Sequence, residues 1–315
     1  MPAVVNLDGV FVAPERAAVS VFDRGFLYGD SVYEVIRTYG GRPFEEEAHL
    51  ARLRHSADRI GLVPKWDVAR TAREIVRTLE ASRGGDRPDP AAAPWNPGER
   101  YVRVVMTRGA GEIGLDPALA VDPIALVIAQ PLAGPPASAY REGVAAAIVG
   151  VRRAEPEAID PSAKTGAHLS NVLALREARA AGAHEAFLLD ARGFVTEGSS
   201  SNVFAVDRGT LRTPPLRAGI LEGVTRGVVL RLAREARLPV EEVPLRPEDL
   251  EEADEVFITS TVREIVPVIT LGSRAVGAGR PGPVTRELHR TFRRLAGGPP
   301  GVGPEPTPGR PGAPV

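Results

Sequence analysis

Apolar and polar residues alternate with two different periods in the first 130 positions of the chain. Short runs rich in β-branched and aromatic residues predict strands, and an Asp-Gly pair between the first two runs predicts a hairpin turn. Two longer segments repeat apolar residues every three or four positions, which predicts helices. The predicted strands cover residues 4–7, 10–12, 31–39, 101–107 and 123–130, and the predicted helices cover 46–60 and 67–81.

The rest of the chain alternates between the same two patterns, which is typical of α/β folds. Strands are predicted over residues 144–151, 185–189, 194–206 and 256–259, and helices over 167–181 and 222–236.

Runs rich in proline and glycine divide the chain. The run at 131–136 predicts a linker, so we expect a small N-terminal α/β domain over 1–130 and a larger C-terminal domain over 131–296. A second such run, at 82–98, predicts a loop. Residues 297–315 cannot supply a core and are expected to form a disordered tail.

The composition narrows the class of partner. The chain has 315 residues, 43% of them hydrophobic, and its 39 basic and 40 acidic residues give a net charge of −1. Such a balance argues against nucleic acid or an anionic membrane as the main partner. The longest apolar run, 124–129, is too short to span a bilayer, and no signal peptide is evident, so we expect a cytoplasmic protein. Cysteine is absent, which excludes disulfides and thiolate metal sites, and we predict no metal.

Lysine is almost absent from this arginine-rich chain. Only Lys65 and Lys164 occur, whereas 37 positions carry arginine. Arginine supplies positive charge equally well, but its guanidinium stays protonated and cannot attack a carbonyl as an amine does. A lysine that remains in such a chain is therefore a candidate nucleophile, with chance survival as the alternative, which we prefer for Lys65. Lys164 is predicted to lie in a loop just before a helix, a usual place for a catalytic group.

Four further segments carry groups that suit a flat, phosphorylated ligand. Residues 196–202 place Glu197 before four small residues in an apolar strand, although a β-bulge with polar edge residues has the same pattern. Residues 219–226 open a helix with glycines and free amides, which suits a phosphate but also an ordinary helix start. Residues 259–261 end a strand with three hydroxyls. Arg52 is either a phosphate ligand or a solvated side chain.

Together these segments resemble the class IV aminotransferases, also called fold-type IV pyridoxal-phosphate enzymes. The similarity runs from about residue 4 to residue 296 and consists of six motifs in the family's order. The motifs are DRGFLYGDSVYEVIR at 23–37, HLARLRHSADRI at 49–60, KTG at 164–166, TEGSSSN at 196–202, ILEGVTR at 220–226 and EVFITSTVREIVPV at 255–268. The resemblance implies a two-domain α/β (α+β) fold with the active site at the domain interface.

The resemblance also assigns roles to individual residues. Lys164 matches the lysine that holds pyridoxal 5′-phosphate as a Schiff base and then moves a proton as general base and acid. Glu197 matches the carboxylate that bonds the pyridine nitrogen and keeps the ring an electron sink. The residues that match the phosphate site are Arg52, Val224, Thr225, Ser260 and Thr261. The implied reaction is a ping-pong transamination between an amino acid and a 2-oxo acid, in a homodimer or larger assembly whose active sites are completed across the interface.

The substrate is a choice between branches of this family. The residues that match the substrate pocket of branched-chain enzymes are Tyr28, Tyr33, Tyr101, Arg103 and Val262. The loop at 112–117 also lacks the Arg and His with which D-amino-acid transaminases bind carboxylate. Leu169 in place of a tyrosine and Val35 in place of a glycine are instead typical of the D-amino-acid branch.

These residues favour a branched-chain L-amino-acid transaminase that uses 2-oxoglutarate as the acceptor. Three alternatives remain: a D-amino-acid transaminase, aminodeoxychorismate lyase, and a non-catalytic binding module on the same fold. The first two share the cofactor site of the favoured enzyme.

Overall fold

The structure, a computed structural model, describes residues 3–83, 98–154 and 160–297. Its first half forms a six-stranded antiparallel sheet with the strand order β2-β1-β6-β5-β3-β4. The strands are β1 (Val4–Leu7), β2 (Val10–Val12), β3 (Ser31–Tyr39), β4 (Arg42–Pro43), β5 (Arg100–Gly111) and β6 (Ala120–Pro131). The helices of this half are α1 (Arg24–Tyr28), α2 (Glu46–Arg59) and α3 (Val68–Arg83), and two 3₁₀ turns cover Pro14–Arg16 and Pro117–Leu119.

The second half forms a nine-stranded mixed sheet. Its order is β12-β11-β10-β13-β14-β7-β8-β9, with β15 paired to β14. The strands are β7 (Val144–Arg152), β8 (Glu185–Leu189), β9 (Val195–Gly198), β10 (Asn202–Asp207), β11 (Thr210–Thr213), β12 (Val240–Glu242), β13 (Glu255–Ser260), β14 (Glu264–Leu271) and β15 (Arg274–Ala275). The helices are α4 (Ala137–Arg141), α5 (Leu169–Ala180), α6 (Val224–Glu235), α7 (Pro247–Glu251) and α8 (Pro283–Ala296), and a 3₁₀ turn covers Leu216–Ala218.

Helices α2 and α3 cover one face of the first sheet. Leu50 and Leu53 of α2, spaced three residues apart, pack in the same buried cluster as Ile75 of α3 and the inward residues Val102 and Val104 of β5. Each of these large side chains stabilises the fold by roughly 1.5–3 kcal/mol through burial. The packing fixes α2 against β3, and Arg52 therefore faces that strand.

Strand β3 connects the two halves of the molecule. The backbone N–H of Tyr33 donates to the carbonyl of Lys164 at 3.1 Å, and the N–H of Gly166 donates to the carbonyl of Ser31 at 2.9 Å. Val32 and Thr165 form an isolated antiparallel bridge between these two bonds. The first sheet thus holds the backbone on both sides of Lys164.

Every helix and strand predicted from the pattern is present, with ends displaced by up to four residues. The long strand predicted over 194–206 is divided into β9 and β10, because its small residues form a turn between the two strands. Strand β14 and helix α8 are elements that the sequence pattern did not predict. The expected loop over 82–98 and the expected tail over 297–315 lie almost wholly outside the described residues. None of the helices that the structure describes is long and apolar enough to cross a membrane.

Candidate active site

A cavity of about 740 Å³ lies between β3, α2 and the loops of the second sheet. Most of the residues singled out from the sequence form part of its wall. These are Tyr33, Val35, Arg52, Tyr101, Lys164, Glu197, Val224, Thr225, Ser260, Thr261 and Val262. The cavity therefore brings the six motifs, which are far apart in the chain, to one place.

The amine of Lys164 points into this cavity from a backbone that is fixed on both sides. Its N–H donates to the hydroxyl of Ser56 at 3.0 Å, and its carbonyl accepts from Tyr33. The Nζ atom lies 4.5 Å from the centre of the Tyr33 ring. Such cation–π contact orients the amine without blocking its lone pair or its protons by a salt bridge.

Glu197 is a buried carboxylate whose neighbours hold it in one orientation. Its Oε1 lies 2.9 Å from Arg153, and its Oε2 accepts from the Leu221 backbone N–H at 3.0 Å and more weakly from Asn202 at 3.4 Å. Burial raises the pKa of Glu197, and Arg153, the Leu221 N–H and Lys164 offset that increase only in part. A carboxylate in this state is suited to share a proton with a basic ring nitrogen.

Arg52 is held by a second buried carboxylate. Glu34, on β3, accepts from Arg52 Nε at 2.6 Å and Nη2 at 2.8 Å, and His49 contacts the same carboxylate at 2.8 Å. Burial alone would raise the pKa of Glu34, but Arg52 and His49 outweigh it and lower the pKa to about 2. Nη1 of Arg52 donates to the carbonyl of Glu222 at 2.7 Å. These bonds use three of the five guanidinium N–H groups, which leaves two for an anion in the cavity.

The opposite wall offers hydroxyl and amide donors. Helix α6 begins at Val224, so the first N–H groups of the helix, near Thr225, lack partners within it and favour a negative charge. Ser260 and Thr261 follow β13 on the same wall. In the described part of the chain, the buried hydroxyl of Thr259 has no hydrogen-bond partner. With Arg52, these groups form a donor set that fits a phosphate.

Small residues leave room for a flat ring between these walls. A Cβ on Gly223 would lie 1.9 Å from Oδ1 of Asn202, so only glycine fits where α6 begins. Glu197, Lys164 and the phosphate-binding donors therefore satisfy the three requirements of pyridoxal phosphate: a ring-nitrogen partner, an amine and an anion site. The residues present fit this cofactor.

Three residues considered in the sequence lie outside the cavity wall. Tyr28 is on the surface, where its hydroxyl accepts from the Gly114 N–H at 3.2 Å. Arg103 lies behind the wall, with its guanidinium 4.1 Å from the centre of the Tyr33 ring. Leu169 is 72% exposed and does not line the cavity.

Four wall or supporting residues were not predicted: Glu34, Arg153, His168 and Arg263. A glutamate within the apolar strand β3 was a visible signal for Glu34, because a buried carboxylate needs a cationic partner. His168 meets the Tyr33 ring edge-on at 5.0 Å. Burial, together with the nearby cations Lys164, Arg103 and Arg153, lowers the pKa of His168 to about 4, so this imidazole is neutral near pH 7.

Comparisons with known proteins identify the family. The sequence pattern of the family described as amino-transferase class IV matches residues 31–271. A protein of Methanocaldococcus jannaschii, provisionally named a branched-chain-amino-acid aminotransferase, is 41% identical over 292 residues, which cover 92% of this chain and 96% of the relative. The D-alanine aminotransferase of Bacillus licheniformis is 32% identical over 289 residues, which cover 92% and 95%.

A solved structure shows the same fold. The branched-chain amino acid aminotransferase of T.th., complexed with N-(5′-phosphopyridoxyl)-L-glutamate, superposes with a TM-score of 0.83 at 30% identity, covering 93% of this chain and 94% of the other. The expected α/β fold, the aminotransferase activity and the pyridoxal 5′-phosphate cofactor are thereby confirmed. The chain belongs to the class IV aminotransferase family.

Proposed function

We propose that this protein transfers the amino group of a branched-chain L-amino acid to 2-oxoglutarate by a ping-pong mechanism. The observation that carries the proposal is the convergence of Lys164, Glu197 and Arg52 on one cavity. Each of the three is held by other residues of the chain: Lys164 by Ser56 and Arg52 by Glu34, as described above, and Glu197 by Arg153. The site is therefore preorganised for one ligand geometry.

Three residues would hold the cofactor. Lys164 binds it covalently through its amine, Glu197 accepts the proton of the ring nitrogen, and Arg52 with the start of α6 and Thr261 neutralises the phosphate. Bound pyridoxal phosphate supplies an electron sink for negative charge that develops on the α-carbon of the substrate. The raised pKa of Glu197 suits this role, because a carboxylate that holds its proton more tightly also shares it more readily.

Lys164 would also move the proton of the reaction. Its Nζ lies over the Tyr33 ring, which keeps the amine on the cavity side of β3. Once the substrate displaces it from the cofactor, the free amine takes a proton from the α-carbon and returns it on the other side of the reacting system. The ring of Tyr33 keeps the amine near the reacting atoms throughout.

The wall next to Lys164 supports an apolar amino acid as donor. Val35, Tyr33, Tyr101 and Val262 supply mostly apolar surface, which suits a branched aliphatic side chain. Leu169 points away from the cavity, so its identity gives no support to the D-amino-acid branch. The M. jannaschii relative and the solved T.th. structure support the branched-chain choice, and the B. licheniformis relative keeps D-alanine transfer as the second candidate.

A homodimer in the cytoplasm is part of the proposal. Apolar side chains of α1 and of the neighbouring loop are exposed together, among them Phe26, Ile113 and Leu115. Arg24 ties the two segments by donating to the carbonyls of Gly114 and Leu115 at 2.7 and 3.1 Å. A second copy that covers this surface would bring Tyr28 to its own site, which explains why Tyr28 lies outside the cavity of its own chain.

A donor screen tests the proposed substrate. L-leucine, L-isoleucine, L-valine, D-alanine and D-glutamate are each supplied with 2-oxoglutarate or pyruvate, and the new amino acid is measured. We expect turnover with the three L-amino acids and 2-oxoglutarate. Turnover with D-alanine alone would instead establish the second candidate, and release of pyruvate from aminodeoxychorismate without an acceptor would establish the lyase.

A further inference from the structure

The turn between β13 and β14 carries two consecutive residues of opposite charge, Arg263 and Glu264. It also carries Ser260 and Thr261, which contribute hydroxyls to the cavity wall. The two charged side chains extend to different parts of the molecule, Arg263 to the second sheet's loop and Glu264 to β3 and α8. Their contacts show how the turn is held.

The guanidinium of Arg263 lines the cavity but is bound to the protein itself. Nη1 lies 2.8 Å from Glu185 Oε2, and Nη2 donates to the carbonyl and hydroxyl of Ser200 at 2.9 and 2.8 Å. Nε donates to the hydroxyl of Ser260 at 3.2 Å. Glu185 is fully buried on β8 and also accepts from Ser201 at 2.8 Å. Arg263 therefore joins two walls of the cavity and has its donors committed, which argues against a direct role in binding an anion.

Glu264 anchors the other side of the turn. Its backbone is left-handed (φ 58°), a conformation that a residue with a side chain adopts only when its surroundings enforce it. Four groups contact its carboxylate: Arg37 at 2.8 Å, Tyr39 at 2.8 Å, His289 at 2.7 Å and Arg293 at 2.7 Å.

Arg37 extends the anchor to the cavity wall. Besides its contact with Glu264, it donates to the carbonyl of Val262 at 3.1 Å. The hydroxyl of Tyr140 donates to the carbonyl of Arg263 at 3.1 Å, so two successive carbonyls of the turn are bound. The backbone that presents Ser260 and Thr261 is thus fixed from β3 and from the second sheet together.

We propose that Arg263 and Glu264 are positioning residues that hold Ser260 and Thr261 in the geometry that binds the phosphate of the cofactor. The inference rests on the proposed function, because it takes the phosphate site from it. Hydroxyls carry no charge of their own, so their contribution depends on how accurately the backbone places them. Two ionic anchors that pull on adjacent residues from opposite sides provide that accuracy.

The test compares two ligands that differ only by the phosphate. Dissociation constants for pyridoxal 5′-phosphate and for pyridoxal are measured by absorbance on protein freed of cofactor, for wild type, Arg263→Gln and Glu264→Gln. We expect each variant to lose at least about tenfold in the preference for the phosphorylated ligand, the effect of weakening one charge-assisted hydrogen bond. A merely structural role would weaken both ligands equally and leave the preference unchanged.

Glu255→Gln is the matched control. Glu255 is a buried carboxylate on the same strand β13, but it accepts from the N–H groups of Val284 and Thr285 at 3.0 and 2.8 Å, at the start of α8. Its substitution should lower the thermal midpoint without changing the ratio of the two dissociation constants. Arg263 is partly exposed, so Arg263→Gln tests the inference even if Glu264→Gln does not fold.

The outcomes separate the inference from the function on which it rests. Wild-type protein that binds both ligands equally would overturn the proposed phosphate site and the inference with it. Wild-type protein that prefers the phosphorylated ligand, with both variants keeping that preference, would overturn the inference alone. An equal loss in Glu255→Gln would do the same, because it would show that any buried glutamate of this strand matters.

Discussion

At the scale of single residues, Lys164 gives the sharpest test, because a second cation cannot replace its amine. Lys164→Arg keeps a positive charge next to Tyr33 but has no amine that can form an imine. We expect folded protein that lacks the visible absorbance of covalently bound cofactor and has no transaminase turnover. Lys65→Arg, which keeps the exposed contact of residue 65 with Asp8, is the control and should remain active. Wild-type turnover in Lys164→Arg would refute the assignment.

Arg103 shows how a magnitude separates two roles. A direct bond to a substrate carboxylate is worth about 1.5–3 kcal/mol, whereas a cation–π contact contributes only about 0.5–1 kcal/mol. Because the guanidinium lies over Tyr33 and outside the cavity wall, we expect Arg103→Ala to raise KM by about two- to fivefold, with Tyr33→Ala equally affected or worse. An increase in KM of about a hundredfold would show that Arg103 binds the carboxylate itself.

At the scale of elements, the local patterns and the long-range contacts divide what the sequence can predict. Strands such as β3 and helices such as α2 follow from apolar periodicity, and Lys164 and Glu197 follow from motifs within single segments. Helix α8 does not: few of its residues are buried and apolar, and its position depends on Arg293 and His289 reaching Glu264. Pairs such as Arg52 with Glu34, or Arg153 with Glu197, need the fold before they become visible.

Helix α6 contains two glycines that should respond in opposite ways to the same change. Gly223→Ala would force its Cβ against Asn202, which contacts Glu197 and the carbonyl of Leu221, so we expect weaker cofactor binding. Gly227→Ala meets nothing within 4 Å in the helix interior, so it should raise the free energy of unfolding by about 0.5–1 kcal/mol. Chemical denaturation and cofactor titration of both variants check this, and equal behaviour would contradict it.

At the scale of the whole molecule, β3 transmits the first sheet to the site in three places. Tyr33 bonds the backbone of Lys164, Glu34 orients Arg52, and Arg37 reaches Glu264 and the carbonyl of Val262. Successive residues of a strand point to opposite faces, so β3 can serve the cavity on one face and α2 on the other. The amine, the arginine of the phosphate site and the hydroxyl turn are consequently referred to one strand.

The two buried carboxylates linked to β3 should make the fold sensitive to acid. Burial alone would raise the pKa of Glu264, but His289, Arg37 and Arg293 outweigh it and lower it from 4.5 to about 2. A folded-state pKa below the unfolded value stabilises the fold fully above pH 4.5, and the stabilisation is lost as the pH falls towards about 2. Glu34, lowered likewise to about 2, adds to the effect.

The difference in free energy of unfolding between wild type and Glu264→Gln should therefore be large near neutral pH and smaller in acid, between the unfolded and folded pKa values of Glu264. Urea unfolding at a series of pH values measures it. Glu287→Gln, which alters an exposed pair with Arg290 on α8, serves as the control and should leave the acid dependence unchanged. A difference that is constant across the series would mean that the carboxylate of Glu264 keeps an ordinary pKa, and that the anchor of the turn depends on packing rather than on charge.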